Sequence, residues 1–539
     1  MSTRARWAIA ILALFAFRLF FGLFSSFFGE DETQIFLIGF RAYATGAWPY
    51  FGPDVVWTKS EIPGALQGLL VSVPLHLWPA PEAPYLLLNL LNMAAIAVLC
   101  WYICARLPSV PRWLVWGWML TIPWTLQMAT HIFNPDYIVA PAIAFFIGFF
   151  EAMPTLRLGR VSRPVAFALM GAAVGWIMQI HMSYPLLAPY VAIALVCASR
   201  KPREVAANLA GLIVGGVVTA SVLVPTWLHY GVFRGFGGTQ ANLHFHLVSP
   251  FVALSTLARF LSFASLEVNR FVATDEGKRL VFFERRVWLV PFALPVIVAG
   301  LVQPFWMLRE WFRTSTPFPE WKTLQALVAG TVVWVYACYW FVMEPAQSHA
   351  FFAVAPIAWI FAVYCWTFVD GPRMRQAAAA LIATNVVFQI GLITGHADRS
   401  LYNDRAVVAA AIRSKQPEML AHRRDFAIDG GPATLQDPSR PYNPLRDLEI
   451  SNPVCTIGRD QVVLWTFTLR NANPRVAFRD VLYQTTYTHA PDDQRHEFVR
   501  QVWQPGASKT VEVNDNFARG ASCDGATLTI LGAEALLPM

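Results

Sequence analysis

The stretch WAIAILALFAFRLFFGLFSSFFGEDE, residues 7–32, decides the fold. From Trp7 to Phe28 it carries a single charge, Arg18, and about 20 such residues suffice for a helix to cross a bilayer. The run follows Arg4 and Arg6, lacks a small-residue cleavage site and is too long for a signal-peptide core. It therefore reads as a retained anchor with a cytoplasmic N-terminus. Three acids, Glu30, Asp31 and Glu32, stand where it leaves the membrane.

The rest of the chain agrees. Of 539 residues, 56% are hydrophobic and only 14% charged, where a soluble domain carries about 25% charge. Mean hydropathy is +0.45. These values exclude intrinsic disorder, nucleic-acid binding and an ordinary cytosolic enzyme, and they predict a polytopic α-helical membrane protein. The net charge of +7 is then first a topology signal. Further apolar runs begin near Pro84, Trp113, Tyr137, Val165, Pro185, Val205, Val287, Thr323, Ala350 and Ala377, which gives about eleven transmembrane helices.

One run, Ile62–Pro79, is settled by parity. If it does not cross, Arg106/Arg112, Arg157/Arg160/Arg163, Arg200/Lys201/Arg203, Arg309/Arg313/Lys322 and Arg373/Arg375 all share the side of Arg4 and Arg6. Leu66, Leu69, Leu70, Val73 and Leu77 form one stripe, while Gly64, Gly68, Ser72 and His76 recur on another face. The run is expected to be an interfacial helix. Residues 29–83, 129–136, 229–286 and 344–349 then face outward, as does everything after Thr394.

The tail changes character. After a polar, partly helical stretch (Arg405–Leu420) and a Pro/Gly/Asp-rich linker, Val463, Trp465, Phe467 and Leu469 alternate, and so do Val481, Tyr483, Thr485 and Tyr487. Short strands are also expected at Glu497–Trp503, Thr510–Val513 and Thr527–Leu531, at the spacing of a small β-sandwich. Five cysteines lie in apolar runs; Cys455 and Cys523 lie in the tail. Two readings stand for that pair, a disulfide in an oxidising periplasm and two buried thiols. The expected division is 1–394 transmembrane, 395–450 linker and 451–539 periplasmic β-sandwich.

For chemistry, the acid triplet is either simply solvated or a source of one general base, its neighbours raising that residue's proton affinity by like-charge repulsion. Lys59, in WTKSEIPG (57–64), is a headgroup contact or a phosphate clamp. Asp136, in HIFNPD (131–136), is a helix cap or a second acid bordering the same cavity. Segment 229–286 offers Arg259, Arg270, Arg285 and Arg286 to a phosphate. His244 and His246 are too few for a metal site, so no metal or other cofactor is indicated.

The Asp31-Glu32 pair after the first span, the lysine and proline ahead of an interfacial helix, and the Asn-Pro-Asp turn two spans later resemble the membrane glycosyltransferases of the GT-C class. The nearest are the protein O-mannosyltransferase and aminoarabinose-transferase families. The resemblance covers roughly residues 1–230 by order of features, and the β tail lies outside it. It implies a polyprenyl-phosphate-linked sugar donor, Asp31 as catalytic base with Glu32 beside it, Lys59 on the donor phosphate and Asp136 as a second acid. Departures are Ile62-Pro63-Gly64 in place of paired prolines, and His181 and His349 at outer helix ends where relatives often carry Lys or Arg; His349 joins Lys59, Arg259 and Arg270 as a phosphate candidate. The implied reaction is an inverting transfer to a hydroxyl of a lipid, glycan or protein at the periplasmic face of a bacterial inner membrane. Two alternatives stand beside it, a glycan polymerase or ligase, and a lipid or glycan transporter (flippase). Transporters place ionisable sites at the midplane, and here only Arg18 lies deep, which favours surface chemistry.

Overall fold

The structure, a computed structural model, describes residues 2–25, 30–54, 61–199, 201–231, 245, 247–262, 282–313, 318–341, 352–368, 371–396, 401–415, 445, 447–458, 462–474, 476–488, 494–515, 518 and 521–536. The chain divides into two units, residues 1–55 with 59–405, and 56–58 with 406–539.

The first unit is helical. Its helix α1 spans Thr3–Ser25, burying Arg18 and Phe21 while Ile9, Leu12 and Phe20 face outward. Among the described residues six helical segments are long and apolar enough to cross a membrane: Ala5–Ser25, Ala83–Arg106, Asn134–Ala152, Pro202–Tyr230, Val287–Trp311 and Pro372–Thr394. Shorter apolar helices stand at Leu66–Leu77, Arg163–Met178, Tyr184–Ala198, Pro250–Leu261 and Phe352–Cys365. Ile213, Val214, Val217 and Val218 are exposed in one patch, which a water-soluble surface does not carry at this density. This is a multi-pass membrane chain; among the described residues six helices have the length and composition of a crossing, against the eleven expected from sequence.

Three local features position the site. Helix α2 (Glu30–Thr45) begins in the acid triplet and leads into a hairpin of β1 (Phe51–Asp54) and β2 (Glu61–Pro63). Helix α3 (Leu66–Leu77) follows, with Val73 and Leu77 exposed and Gln67, Gly68, Val71 and Ser72 buried. Of the predicted small and polar face, Gly64, Gly68 and Ser72 are buried and His76 is exposed; of the apolar stripe, Val73 and Leu77 are exposed and Leu66, Leu69 and Leu70 half-buried. A Cβ on Gly39 of α2 would stand 2.4 Å from Val71 Cβ, so the two helices meet through glycine.

Helix α4 (Ala83–Arg106) runs from this acidic end to a basic one. There Arg106 donates to the Tyr102 hydroxyl (3.0 Å) and to the Leu156 carbonyl, and lies 3.6 Å from Glu320. Glu151 accepts the Tyr102 hydroxyl (2.8 Å) and the backbone N–H groups of Leu158 (3.0 Å) and Arg160 (2.7 Å). The run expected from Trp113 is broken by Pro123 into α5 (Arg112–Thr121) and α6 (Pro123–Gln127). Proline interrupts the hydrogen-bond ladder, and Arg18 donates to the carbonyls of Leu120 (3.0 Å) and Thr125 (2.9 Å) at the break. This buried charge thus binds backbone that lipid cannot solvate.

Segment 229–286, read from sequence as an outer loop, contains a helix packed into the bundle. After α7 (Val139–Ala152), α8 (Arg163–Met178), α9 (Ala188–Ala198), α10 (Pro202–Ala220) and α11 (Val224–Tyr230) comes α12 (Pro250–Ser262). It packs against α13 (Val290–Trp311), α14 (Trp321–Tyr339) and α15 (Ala355–Cys365). Tyr336 donates to the Val248 carbonyl (2.7 Å) and Gln303 to that of Leu261 (3.2 Å). Thr256, Phe260 and Leu261 are buried in these contacts. Helix α16 (Pro372–His396) completes the unit, and α17 (Leu401–Ser414) spans the boundary between the two.

In the second unit two antiparallel three-stranded sheets, ordered β3-β4-β7 and β6-β5-β8, enclose one core. The strands are β3 (Leu448–Ile457), β4 (Val463–Asn471), β5 (Ala477–Thr486), β6 (Gln494–Trp503), β7 (Ser508–Asp515) and β8 (Thr527–Leu536). Val463, Trp465, Phe467 and Leu469 all point inward, as their alternation requires. Trp465, Trp503, Tyr483 and Tyr487 are buried in that core. Cys455 and Cys523 form a disulfide, with Cα atoms 5.6 Å apart; the other five cysteines are free.

Candidate functional site

At the acidic end the loop after α6 is built around Asp136. Its Oδ2 accepts the backbone N–H groups of Thr130 (2.9 Å) and His131 (2.7 Å), so Asp136 staples the loop before it and, against the helix-cap expectation, caps neither neighbouring helix. The carboxylate is fully buried, and Oδ1 has no hydrogen-bond partner among the described residues. From α4, Asn89 donates to the Thr130 carbonyl (3.2 Å), and Asn92 to those of Ala129 (2.9 Å) and Asp136 (2.8 Å). From α3, Gln67 Nε2 donates to Asn134 Oδ1 (2.9 Å). Two helices thus hold one turn in place.

Glu32, also buried, and Arg18 are near enough for their charges to act on Asp136. His131 lies between them and the end of α1: Nε2 is 3.0 Å from Ser25 Oγ, Nδ1 is 3.1 Å from the Gln127 carbonyl and 3.8 Å from Asp136 Oδ2. Two acids, an arginine and a histidine are therefore buried near one another, where charges interact more strongly than in water. Among the described residues no group of three or more His, Cys, Asp or Glu could hold a metal ion.

The second wall is the hairpin. Gly64 adopts φ +114°, and a Cβ there would stand 2.7 Å from Leu223 Cδ2 and 2.8 Å from Gln179 Oε1. Gln179 is itself held by the carbonyls of Gly175 (2.9 Å) and Thr219 (2.8 Å). The Tyr50 carbonyl accepts from Thr226 Oγ1 (2.8 Å) and Gly64 N (3.2 Å), while its ring stacks on His229 at 4.9 Å. The Ile62-Pro63-Gly64 step thus fits the chain closely between α8 and α11.

Of the predicted site residues, Glu32 and Asp136 come together. Asp31 lies in the first turn of α2, its side chain outside the described residues; Lys59, Arg270 and His349 fall outside them entirely. Arg259 sits half-buried on the last turn of α12. Sequence reasoning passed over Asn89, Asn92, Gln67 and Ser25. The signal was present in Asn89 and Asn92, two amides three residues apart in an otherwise apolar run, because polar side chains inside a membrane segment are costly and seek partners.

No protein-family model matches the chain, and no curated protein matches it. Among solved structures it is similar to ArnT from Cupriavidus metallidurans in the apo state, at 14% identity over 79% of this chain and 80% of that one, with a TM-score of 0.49. It is also similar to the arabinosyltransferase EmbB from Mycobacterium smegmatis, at 12% identity over 100% of this chain and 64% of that one, with a TM-score of 0.39.

Proposed function

We propose that this chain is a membrane glycosyltransferase that moves a sugar from a polyprenyl-phosphate donor to a hydroxyl acceptor with inversion. The observation that carries the reading is the convergence of Glu32, Asp136, Arg18 and His131 at the end of the bundle where α2 starts and α3 follows the Lys59-bearing segment. Asp31 removes the acceptor proton as the oxygen attacks the anomeric carbon. The C–O bond to phosphate breaks on the opposite side, and the leaving phosphate is neutralised by Lys59, with Arg259, Arg270 and His349 as further cations. Asp136, spent on Thr130 and His131, holds the loop and is a positioning residue. The acidic end faces the periplasm of a bacterial inner membrane. The acceptor is a lipid, glycan or protein hydroxyl.

The test is transfer from a synthetic polyprenyl-phosphate sugar by purified enzyme. Asp31→Asn removes the proton acceptor and lowers turnover by about 10²–10⁴-fold, the usual worth of a general base, while donor binding persists. Lys59→Ala weakens donor binding, and Lys59→Arg restores part of it. Near-normal turnover by Asp31→Asn would sink the assignment.

A further inference from the structure

Between α5, α13 and α16 lies a cavity of about 420 Å³, inside the range of roughly 300–1,000 Å³ typical of small-molecule sites. Gly300 and Ala378 leave it open, and Leu114, Trp118, Trp306 and Trp366 line it. Toward the middle of the bundle it ends at Asn385 and Thr121. Asn385 donates to the Thr121 carbonyl and accepts from Gln389, and the Thr121 hydroxyl donates to Gly117. Those polar groups are satisfied inside the protein, so the cavity offers little to water and suits an apolar occupant.

Its length and its rim say which one. Met374 and Asn385 both line it on α16; at 1.5 Å per residue their separation is about 16 Å, close to half of the roughly 30 Å hydrocarbon core. The cavity therefore runs the depth of one leaflet, starting from the basic end. At that rim Met374 stands between exposed Arg373 and Arg375, and the Arg309 guanidinium lies 4.9 Å from the centroid of the Trp306 ring. Tryptophan and arginine at this level suit a lipid headgroup, and guanidinium pairs well with phosphate.

We propose that this cavity is a binding site for one acyl chain of an anionic glycerophospholipid drawn from the leaflet at the basic end, its phosphate held by Arg309, Arg373 and Arg375. The site lies at the other end of the bundle from Asp136 and stands or falls independently of the proposed transfer reaction. Bound lipid fills the space beside the Pro123 break and stabilises the helices that enclose it.

The test is native mass spectrometry of the full chain, stripped of lipid in detergent and resupplied with phosphatidylglycerol, phosphatidylcholine of matched chains, or a polyprenyl phosphate. Phosphatidylglycerol should be retained about tenfold or more over phosphatidylcholine, given about 1 kcal/mol per basic residue. R373Q/R375Q should abolish that preference, and Ala378→Trp should abolish retention of either phospholipid. Should Ala378→Trp fail to fold, judged by size-exclusion profile, Ala377→Leu serves as the milder filling variant. Equal retention of both phospholipids, or retention unchanged by filling, overturns the proposal; displacement of phosphatidylglycerol by equimolar polyprenyl phosphate overturns it in favour of an isoprenoid chain.

Discussion

Gln67 on α3 donates from Nε2 to Oδ1 of Asn134 across 2.9 Å, joining that helix to the turn that carries Asp136. A part-buried amide pair of this kind contributes about 0.5–1.5 kcal/mol net. In a double-mutant cycle of Gln67→Ala and Asn134→Ala, read by unfolding in detergent, the coupling should fall in that range. Additive single effects would mean that the pair does not couple α3 to the turn.

Gly64 and Gly46 both adopt positive φ, +114° and +72°, yet their surroundings differ. Nothing lies within 4 Å of a Cβ on Gly46, whereas one on Gly64 meets Leu223 and the tethered Gln179. Gly46→Ala should therefore cost only backbone strain, about 1–2 kcal/mol. Gly64→Ala should cost more and should also impair transfer, because it shifts the segment joining Lys59 to α3. Comparable stability and activity in the two variants would remove Gly64 from the site's architecture.

The difference between what could and could not be read from sequence follows from how each signal is carried. The α1 run is a continuous apolar stretch and the β4 alternation is periodic, and both elements were found where the sequence put them, while the α3 stripe was met at Val73 and Leu77 but not at His76 of the opposite face. The turn before Asp136 was legible because Asn134-Pro135 announces it. That Asp136 staples the loop before it was not, since Thr130 and His131 contribute backbone N–H groups, which every residue has. Helix α12 escaped because 13 residues interrupted by Ser255, Thr256 and Arg259 are too short and too mixed an apolar run to stand out within a long segment. The close seam of α8 and α10 was present in the sequence as Gly171-x3-Gly175 and Gly211-x3-Gly215; a Cβ at Gly215 would stand 1.9 Å from the Ala168 carbonyl. Small residues four apart let membrane helices approach this closely.

In the β-sandwich, burial pushes the phenols of Tyr483 and Tyr487 up from their ordinary value, and the bond from Tyr487 to Asp515 Oδ2 (2.6 Å) adds to the shift of Tyr487. A raised acid favours the fold fully below its unfolded pKa, near 10, and loses that contribution as pH climbs toward the folded value. Near-ultraviolet circular dichroism of the full chain should show tertiary signal holding to about pH 10 and falling above it. Tyr487→Phe should make the alkaline loss shallower. An unchanged slope in that variant would place the titration elsewhere.

The Cys455–Cys523 disulfide closes a loop with a sequence separation of 68 residues, and cross-links of this kind are worth about 2–4 kcal/mol. Cys455→Ala/Cys523→Ala should lower the melting temperature of the sandwich, followed by the fluorescence of its buried Trp465 and Trp503, while the helical signal of the first unit stays in place. Equal melting with and without the pair would mean that the sheets need no staple.

Sidedness decides whether Asp31, Lys59 and Asp136 belong to one reaction. Helix α4 runs 24 residues from Ala83 to Arg106, about 36 Å at 1.5 Å per residue, enough to cross the bilayer. Its first turns hold the Asp136 loop through Asn89 and Asn92, and its last turn carries Arg106. If α3 lies at the interface, with Val73 and Leu77 exposed, Ser60, just before it, should share the face of that loop. Exposed Ser109, just after α4, should lie on the other face. The disulfide can be kept while the five free cysteines are replaced, and single cysteines introduced as Ser60→Cys or Ser109→Cys. With an impermeant thiol reagent applied to intact cells, the first should label and the second only after the membrane is opened. Equal labelling from outside would mean that residues 62–79 cross, which would put Asp31 and Asp136 on opposite faces and dissolve the proposed site.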